Sequence, residues 1–421
     1  MERKHTSGPR RPTAIFEVAG VECALTFLTE ERQNRMKAQV TPREVSLVSN
    51  TWPTLIKPYP LMISLMQIAI TAVIILISTH LLPKGPLTQF GVGFSAWDGQ
   101  HYTEIAKQGY GNFVQTAFFP MYPLLIRAFH SITQISYTTS ATLLANAAYA
   151  VSTVLFYRLT KEWFSKDVAW RALWLLAVIP AGLFFNVDYT ESITLLSLLS
   201  FFYFLQKDKW YIAMISGFVA AGTHDLGVLL TIPALIHWRV TSGTRKQLLS
   251  IGLIPLSLLS YMSFLFVHFG NPIAFVYAQQ AWHRIPLIPV IDLFLGFAGL
   301  KFYPVSVADW VHNLMTIVNG LSPLLMVISG WWVWKEKRFD LGLKAFYTIT
   351  LLLDISSGTG KTPFSPSILT SFARLVVVLF PAYMVLAAKL KHRRSFVSAL
   401  IVMFLIKITL TALFSDGFSI L

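Results

Sequence analysis

From residue 59 onward the chain sets long apolar blocks between short polar ones. A helix rising about 1.5 Å per residue needs roughly 20 apolar residues to cross the hydrocarbon of a bilayer. Blocks at 59–82, 137–160, 168–187, 189–206, 246–269, 313–334, 342–358, 371–388 and 395–414 approach that length. Two shorter blocks, 211–223 and 226–238, flank the polar stretch Thr223-His224-Asp225-Leu226-Gly227. The pattern predicts an all-α, polytopic integral membrane protein of about 11 transmembrane helices. Neither short block spans alone, so the pair reads as a hairpin whose turn is covered by protein and lines a cavity. Residues 1–58 mix charges of both signs and show no secretory-signal pattern. They read as a cytosolic, partly disordered tail ahead of one membrane domain, 59–421.

Composition agrees with the pattern: 54% of the 421 residues are hydrophobic and only 13% charged, against about 25% charged in an ordinary globular chain. The formal charge of +14 suggests nucleic acid until its distribution is followed. With the N-terminus inside, 26 of the 34 Lys and Arg fall on inner segments, seven on outer ones, and Lys407 within the last block. That is the positive-inside bias of a multi-pass protein, with membrane lipids rather than nucleic acid as its surroundings. The single cysteine, Cys23, excludes a disulfide within the chain.

On this topology the outer segments collect Asp98, Glu104, Asp188, Glu191, His224, Asp225, Asn271, Gln279, His283 and Arg284, whereas the inner face has charge but little convergent chemistry. The first outer loop, 83–136, carries Trp97-Asp98-Gly99. Residues 99–108 read as a short amphipathic interfacial helix, with Tyr102, Ile105 and Ala106 on one face and Gly109 as its stop. Asp98 either caps that helix or serves as a general base at the membrane boundary, with Gly99 allowing a substrate close to the backbone. Ala117 to Pro123, with Pro120 and Pro123 among aromatics, predicts a stiff extended segment.

Asp188-Tyr189-Thr190-Glu191-Ser192 opens a span and has capping-box spacing, although a Glu at that depth is costly unless it faces a polar cavity. His283 and Arg284 end an outer stretch and are candidate donors to a phosphate, or else belong to an interfacial loop turning at Asn271-Pro272. Arg374 precedes an apolar run, where it either snorkels or joins them as a phosphate ligand. Ser357 to Thr362, "SGTGKT", lacks the first glycine of a P-loop, with Ile355 in its place. No zinc-ligand spacing, HExxH or Asp-x-Asp pair appears, so no metal or cofactor is expected, and a group-transfer reaction would draw on a lipid-phosphate donor.

"WDGQHYTEIAKQGY" with "AFFPMYPLL", then "DYTES", "FGNPIAFVYAQQAWHR" and "RLVVVLFPAY", in that order, resemble the PIG-V type mannosyltransferases, which include the second mannosyltransferase of glycosylphosphatidylinositol synthesis. The resemblance covers roughly residues 90–390. It implies a GT-C class membrane fold, a polyprenyl- or dolichyl-phosphate mannose donor, a lipid-linked or glycan acceptor, and Asp98 as the catalytic centre with Trp97 and Gly99 shaping its loop. Tyr189, Glu191, Gln279, Trp282, Arg284 and Arg374 fall on the family's other motif positions. Two departures stand out: His224-Asp225 occupies the place of an expected arginine, and Leu375 that of a common tyrosine. The competing classes are a transporter or lipid flippase, which would show repeated halves and midplane polar groups, and an inactive scaffold, which the missing arginine would suit. Compact loops point to a prokaryotic plasma membrane.

Overall fold

A computed structural model describes residues 60–418 except 82, 83, 86, 287, 360–368 and 370. The expected N-terminal tail lies outside the described residues. Seventeen helices run in order among the described residues: α1 Pro60–Leu81, α2 Asp98–Gln108, α3 Met121–Thr133, α4 Tyr137–Trp163, α5 Lys166–Val178, α6 Glu191–Gln206, α7 Trp210–Thr223, α8 Thr231–Val240, α9 Arg245–Ile251, α10 Leu253–Phe269, α11 Ala274–Ala278, α12 Pro289–Phe297, α13 Val307–Lys335, α14 Leu341–Ile355, α15 Phe372–Val376, α16 Phe380–Lys389 and α17 Arg393–Ser415. Two three-residue strands, β1 Arg284–Pro286 and β2 Ser357–Thr359, pair antiparallel, with Arg284 opposite Thr359.

Every one of the eleven apolar blocks contains a helix, but among the described residues five helical runs are long and apolar enough to cross a membrane: α1, α4, Arg245–Phe269, α13 and α17. Two blocks are cut short by proline, which lacks the N–H of the helical ladder and crowds the preceding turn. Thus α5 stops at Val178, ahead of Pro180 in a 3-10 turn, and the block 371–388 divides into α15 and α16, with Pro381 in the first turn of the second. The same property corrects the expected extended segment at 117–123. Phe118 has extended backbone, but Pro120 caps α3 and Pro123 sits in its first turn, where a missing N–H costs nothing.

At the centre, α6 packs against α4 and α7, and α10 lies on the other side of α7. Leu65 of α1, Leu259 of α10 and Leu405 of α17 are exposed, as lipid-facing positions require, while amides are drawn inward. The Tyr149 hydroxyl donates to Gln67 Oε1, Gln67 Nε2 to Asn186 Oδ1 at 3.2 Å, and Asn186 Nδ2 to Asn146 Oδ1 at 3.0 Å. This buried ladder joins α1, α4 and the turn that leads into α6. Of the "SGTGKT" stretch, Ser357–Thr359 forms β2; the rest lies outside the described residues.

Candidate active site

The short helix of the first loop is α2, and Gly109 ends it as expected, with φ +84° and its N–H bonded to the Ile105 carbonyl at 2.9 Å. At its start the chain turns sharply: Trp97 has φ 58° and ψ −122°, a conformation that bulky residues adopt only when their surroundings impose it. The imposing contacts come from the segment before α6. Asp188 N–H donates to the Phe94 carbonyl at 3.1 Å, Ser95 Oγ donates to Asp188 Oδ2, and Asp98 N–H donates to the Tyr189 hydroxyl at 3.2 Å. Asp188 is also bonded by Thr142 Oγ1 at 2.6 Å.

Three expectations are corrected here. Trp97, not Asp98, is the residue that caps α2. Asp188 and Glu191 form no capping box: Thr190 is the capping residue and its side chain makes no cap bond, because the Asp188 carboxylate is held by Ser95 and Thr142. Gly99 is buried, and a Cβ there would lie 3.3 Å from Asp188 Cβ. The close backbone approach that the glycine permits is therefore to the chain's own Asp188.

Asp98 faces Arg374, whose Nη1 donates to Asp98 Oδ2 at 2.5 Å while its Nε lies 3.3 Å from Glu191 Oε1. One guanidinium thus bridges carboxylates from the first loop and the start of α6, and it lies over the Tyr189 ring with its carbon 5.2 Å from the centroid. The side chains of Arg374, Asp98 and Glu191 are 16%, 13% and 10% exposed, so this is a nearly dry triad rather than a snorkelling cation with two surface acids. A dry guanidinium between two carboxylates fixes the direction in which each can offer its remaining oxygen.

Beside the triad, the loop after α7 pairs His224 Nδ1 with Asp225 Oδ1 at 2.7 Å. Burial disfavours the imidazolium, but the Asp225 carboxylate outweighs it and lifts the His224 pKa to about 9. At the place of the expected arginine the chain therefore holds an imidazolium paired with its own carboxylate. Arg284, in β1, donates Nη1 to the Ser357 carbonyl at 2.9 Å. Burial and the neighbouring Arg374 charge pull its pKa down to about 10, so two guanidiniums stand near enough to repel.

Of the remaining expected residues, Tyr102 stays beside the triad, close enough to feel the charges of Asp98, Glu191 and Arg374, and the others stand apart. Tyr102 is buried, edge-on to Phe118 and Tyr122, in the apolar core between α2 and α3. Trp282 packs against His101 and Phe118 and so roofs α2. Gln279 lies in the 3-10 turn that leads to it. His283 is exposed with left-handed backbone, φ 53°, and makes none of the triad's contacts. Asn271 accepts from the Ile273 N–H at 3.0 Å, as a turn residue does. Glu104 accepts from Gln115 Nε2 at 2.9 Å, away from the triad. One charged residue was not foreseen: Asp354, in the last turn of α14, feels the charges of His224, Asp225 and Arg284. Its signal in the sequence was a lone acid at the end of an apolar block, and such residues are seldom incidental. Among the described residues no group of three His, Cys, Asp or Glu is placed to hold a metal ion.

The sequence family described as dolichyl-phosphate-mannose-protein mannosyltransferase matches residues 117–268, which include Glu191 and His224 but not Asp98, Arg284 or Arg374. A curated relative, GPI mannosyltransferase 2 of Drosophila pseudoobscura pseudoobscura, is 29% identical over 111 residues, 24% of each chain. The chain thus spans about a quarter of the length of the curated relative it matches. Among solved structures, ArnT from Cupriavidus metallidurans bound to undecaprenyl phosphate aligns at TM-score 0.48 and 14% identity, covering 81% of this chain and 62% of that one. The Archaeoglobus fulgidus oligosaccharyltransferase in its apo form aligns at TM-score 0.45 and 13% identity, covering 87% and 57%. Over residues 117–268 the chain is similar in sequence to mannosyltransferases, the class that the order of its motifs resembles.

Proposed function

We propose that residues 59–421 form a membrane glycosyltransferase that moves a mannosyl residue from a polyprenyl- or dolichyl-phosphate sugar to a hydroxyl of a lipid-linked or glycan acceptor, with its site on the outer face and its N-terminus inside. The observation that carries the reading is the dry triad, in which Arg374 aims the Asp98 carboxylate from the head of a short helix beside other cations.

Asp98 takes the proton of the acceptor hydroxyl as that oxygen forms a bond to the anomeric carbon. The bond from that carbon to the phosphate oxygen breaks with inversion, and the lipid phosphate leaves with the bonding pair. Glu191 holds the far side of Arg374 and keeps it from swinging away. Arg284 and Arg374 are near enough to feel one another's charge, and the leaving phosphate would be held by both; preorganised charge of this kind stabilises a leaving group most where water is excluded. His224, paired with Asp225, adds a charged donor to the same region.

The test is transfer of radiolabelled mannose from polyprenyl-phosphate mannose in membranes that carry the wild-type chain or Asp98→Asn. Removing a general base is expected to lower turnover by about 10² to 10⁴, with the folded protein recovered in equal amount. Near-normal transfer by the variant would remove Asp98 from its role, and absence of transfer by the folded wild type would remove the donor class.

A further inference from the structure

Asp354 stands where a carboxylate is disfavoured three times over. It is 5% exposed, it lies in the last turn of α14 where the helix dipole is negative, and its Oδ2 is buried without a hydrogen-bond partner among the described residues. Two hydroxyls, one on the same helix and one in the strand that follows it, share that condition. Thr350 Oγ1, one helical turn earlier and so on the same face, and Thr359 Oγ1, in the strand opposite Arg284, are both buried and unpartnered among the described residues. The contrast lies two residues from Thr350: Thr348 Oγ1 bonds the Lys344 carbonyl at 2.9 Å, as a helical threonine ordinarily does.

Buried polar groups left without partners are uncommon and call for an occupant. A metal would need more ligands than one carboxylate, and no suitable group is present among the described residues. A cationic ligand would meet His224 and Arg284, the positive groups that already act on Asp354. A buried carboxyl group, beside hydroxyls that both donate and accept, suits a group with the same mixture: adjacent hydroxyls on a sugar or cyclitol ring.

We infer that Asp354, with Thr350 and Thr359, binds the ring hydroxyls of the acceptor. These groups lie beside Arg284, whose charge both Asp354 and Asp98 feel. The inference rests on the glycosyltransferase reading for the word acceptor, but not for the binding itself. Asp98 would meet the one hydroxyl that reacts, and Asp354 the neighbours that do not, which makes Asp354 a specificity residue rather than a base.

The experiment uses the purified full chain in lipid nanodiscs, with octyl α-mannoside and octyl β-glucoside as probes. Binding is measured by saturation-transfer NMR and, separately, transfer from polyprenyl-phosphate mannose is followed. For Asp354→Asn we expect the KM of the octyl glycoside that serves as acceptor to rise about 10-fold, because a site built around hydroxyls is left unpaired, with kcat and the donor KM unchanged. Thr350→Val, which keeps the shape and every charge, is expected to raise the same KM and provides a variant that folds if Asp354→Asn does not. A fall in kcat at unchanged acceptor KM, a change in donor KM alone, or no change overturns the inference, as does failure of the wild type to bind either glycoside. Glycoside binding that Asp354→Asn abolishes, without any transfer by the wild type, would overturn the proposed function and leave this inference standing.

Discussion

Replacing Arg374 with methionine keeps most of the side chain's length and removes its charge. Two carboxylates that are 13% and 10% exposed would then face each other without the cation between them. Removing one partner of a buried ion pair costs about 3–5 kcal/mol, because the charge left behind is neither solvated nor paired. Here one cation serves two acids, so the upper end applies. Glu191→Gln alone leaves Arg374 with Asp98 and should cost about 1–2 kcal/mol. In the double variant only Asp98 remains uncompensated, and the two losses should fall short of their sum by about 2 kcal/mol. The assay is SDS-driven unfolding in mixed micelles for all four members of the cycle, with mannosyl transfer followed in parallel. Transfer should stay below about 1% of wild type in both variants that lack Arg374, since the recovered stability does not restore the orientation of Asp98. Additivity within about 0.5 kcal/mol would mean that Glu191 and Asp98 do not share the arginine, and the triad would have to be abandoned as a unit.

Two further outcomes concern the loop and the loop histidine. Gly99→Ala places a methyl 3.3 Å from Asp188 Cβ; unfolding should show a loss of about 1–3 kcal/mol by overpacking, with kcat falling while the donor KM holds, and an unchanged kcat would mean that the Asp188 contact does not position Asp98. The His224 pKa is raised from 6.5 to about 9 by Asp225, so what its pairing adds to stability is complete below pH 6.5 and is lost as pH rises through 9. Donor affinity should follow the same window, falling above pH 9, and His224→Arg should flatten that alkaline limb; a limb that survives the substitution would belong to another group.

What the sequence made legible was whatever depends on local pattern. Block length located helices in all eleven apolar stretches, and amphipathicity with Gly109 located α2. Proline was read less well, since Pro120 and Pro123 look alike whether they stiffen an extended segment or open a helix, and what decides is the chain that follows. The spacing of Asp188 and Glu191 fits a capping box, yet Asp188 is claimed by Ser95 and Thr142, partners 93 and 46 residues away. The central pair of the site, Arg374 with Asp98, spans 276 residues. Local pattern placed both residues among the candidates but held no information about their meeting. Asp354 escaped notice because an apolar block absorbs one acid without losing its character as a block.

The amide ladder of Gln67, Asn186 and Asn146 bears on how such a site can be held in lipid at all. A helix surrounded by hydrocarbon gains little from presenting one apolar face rather than another, so greasy side chains alone leave its rotation poorly determined. The amides remove that freedom: α1 has one rotational setting that satisfies Gln67, and the same bonds fix the turn from which Asp188 and Tyr189 grip the Trp97 loop. Gln67→Leu would leave α1 as comfortable in the bilayer as before. The aim of a carboxylate at the mouth of the bundle would then depend on a helix that is free to roll.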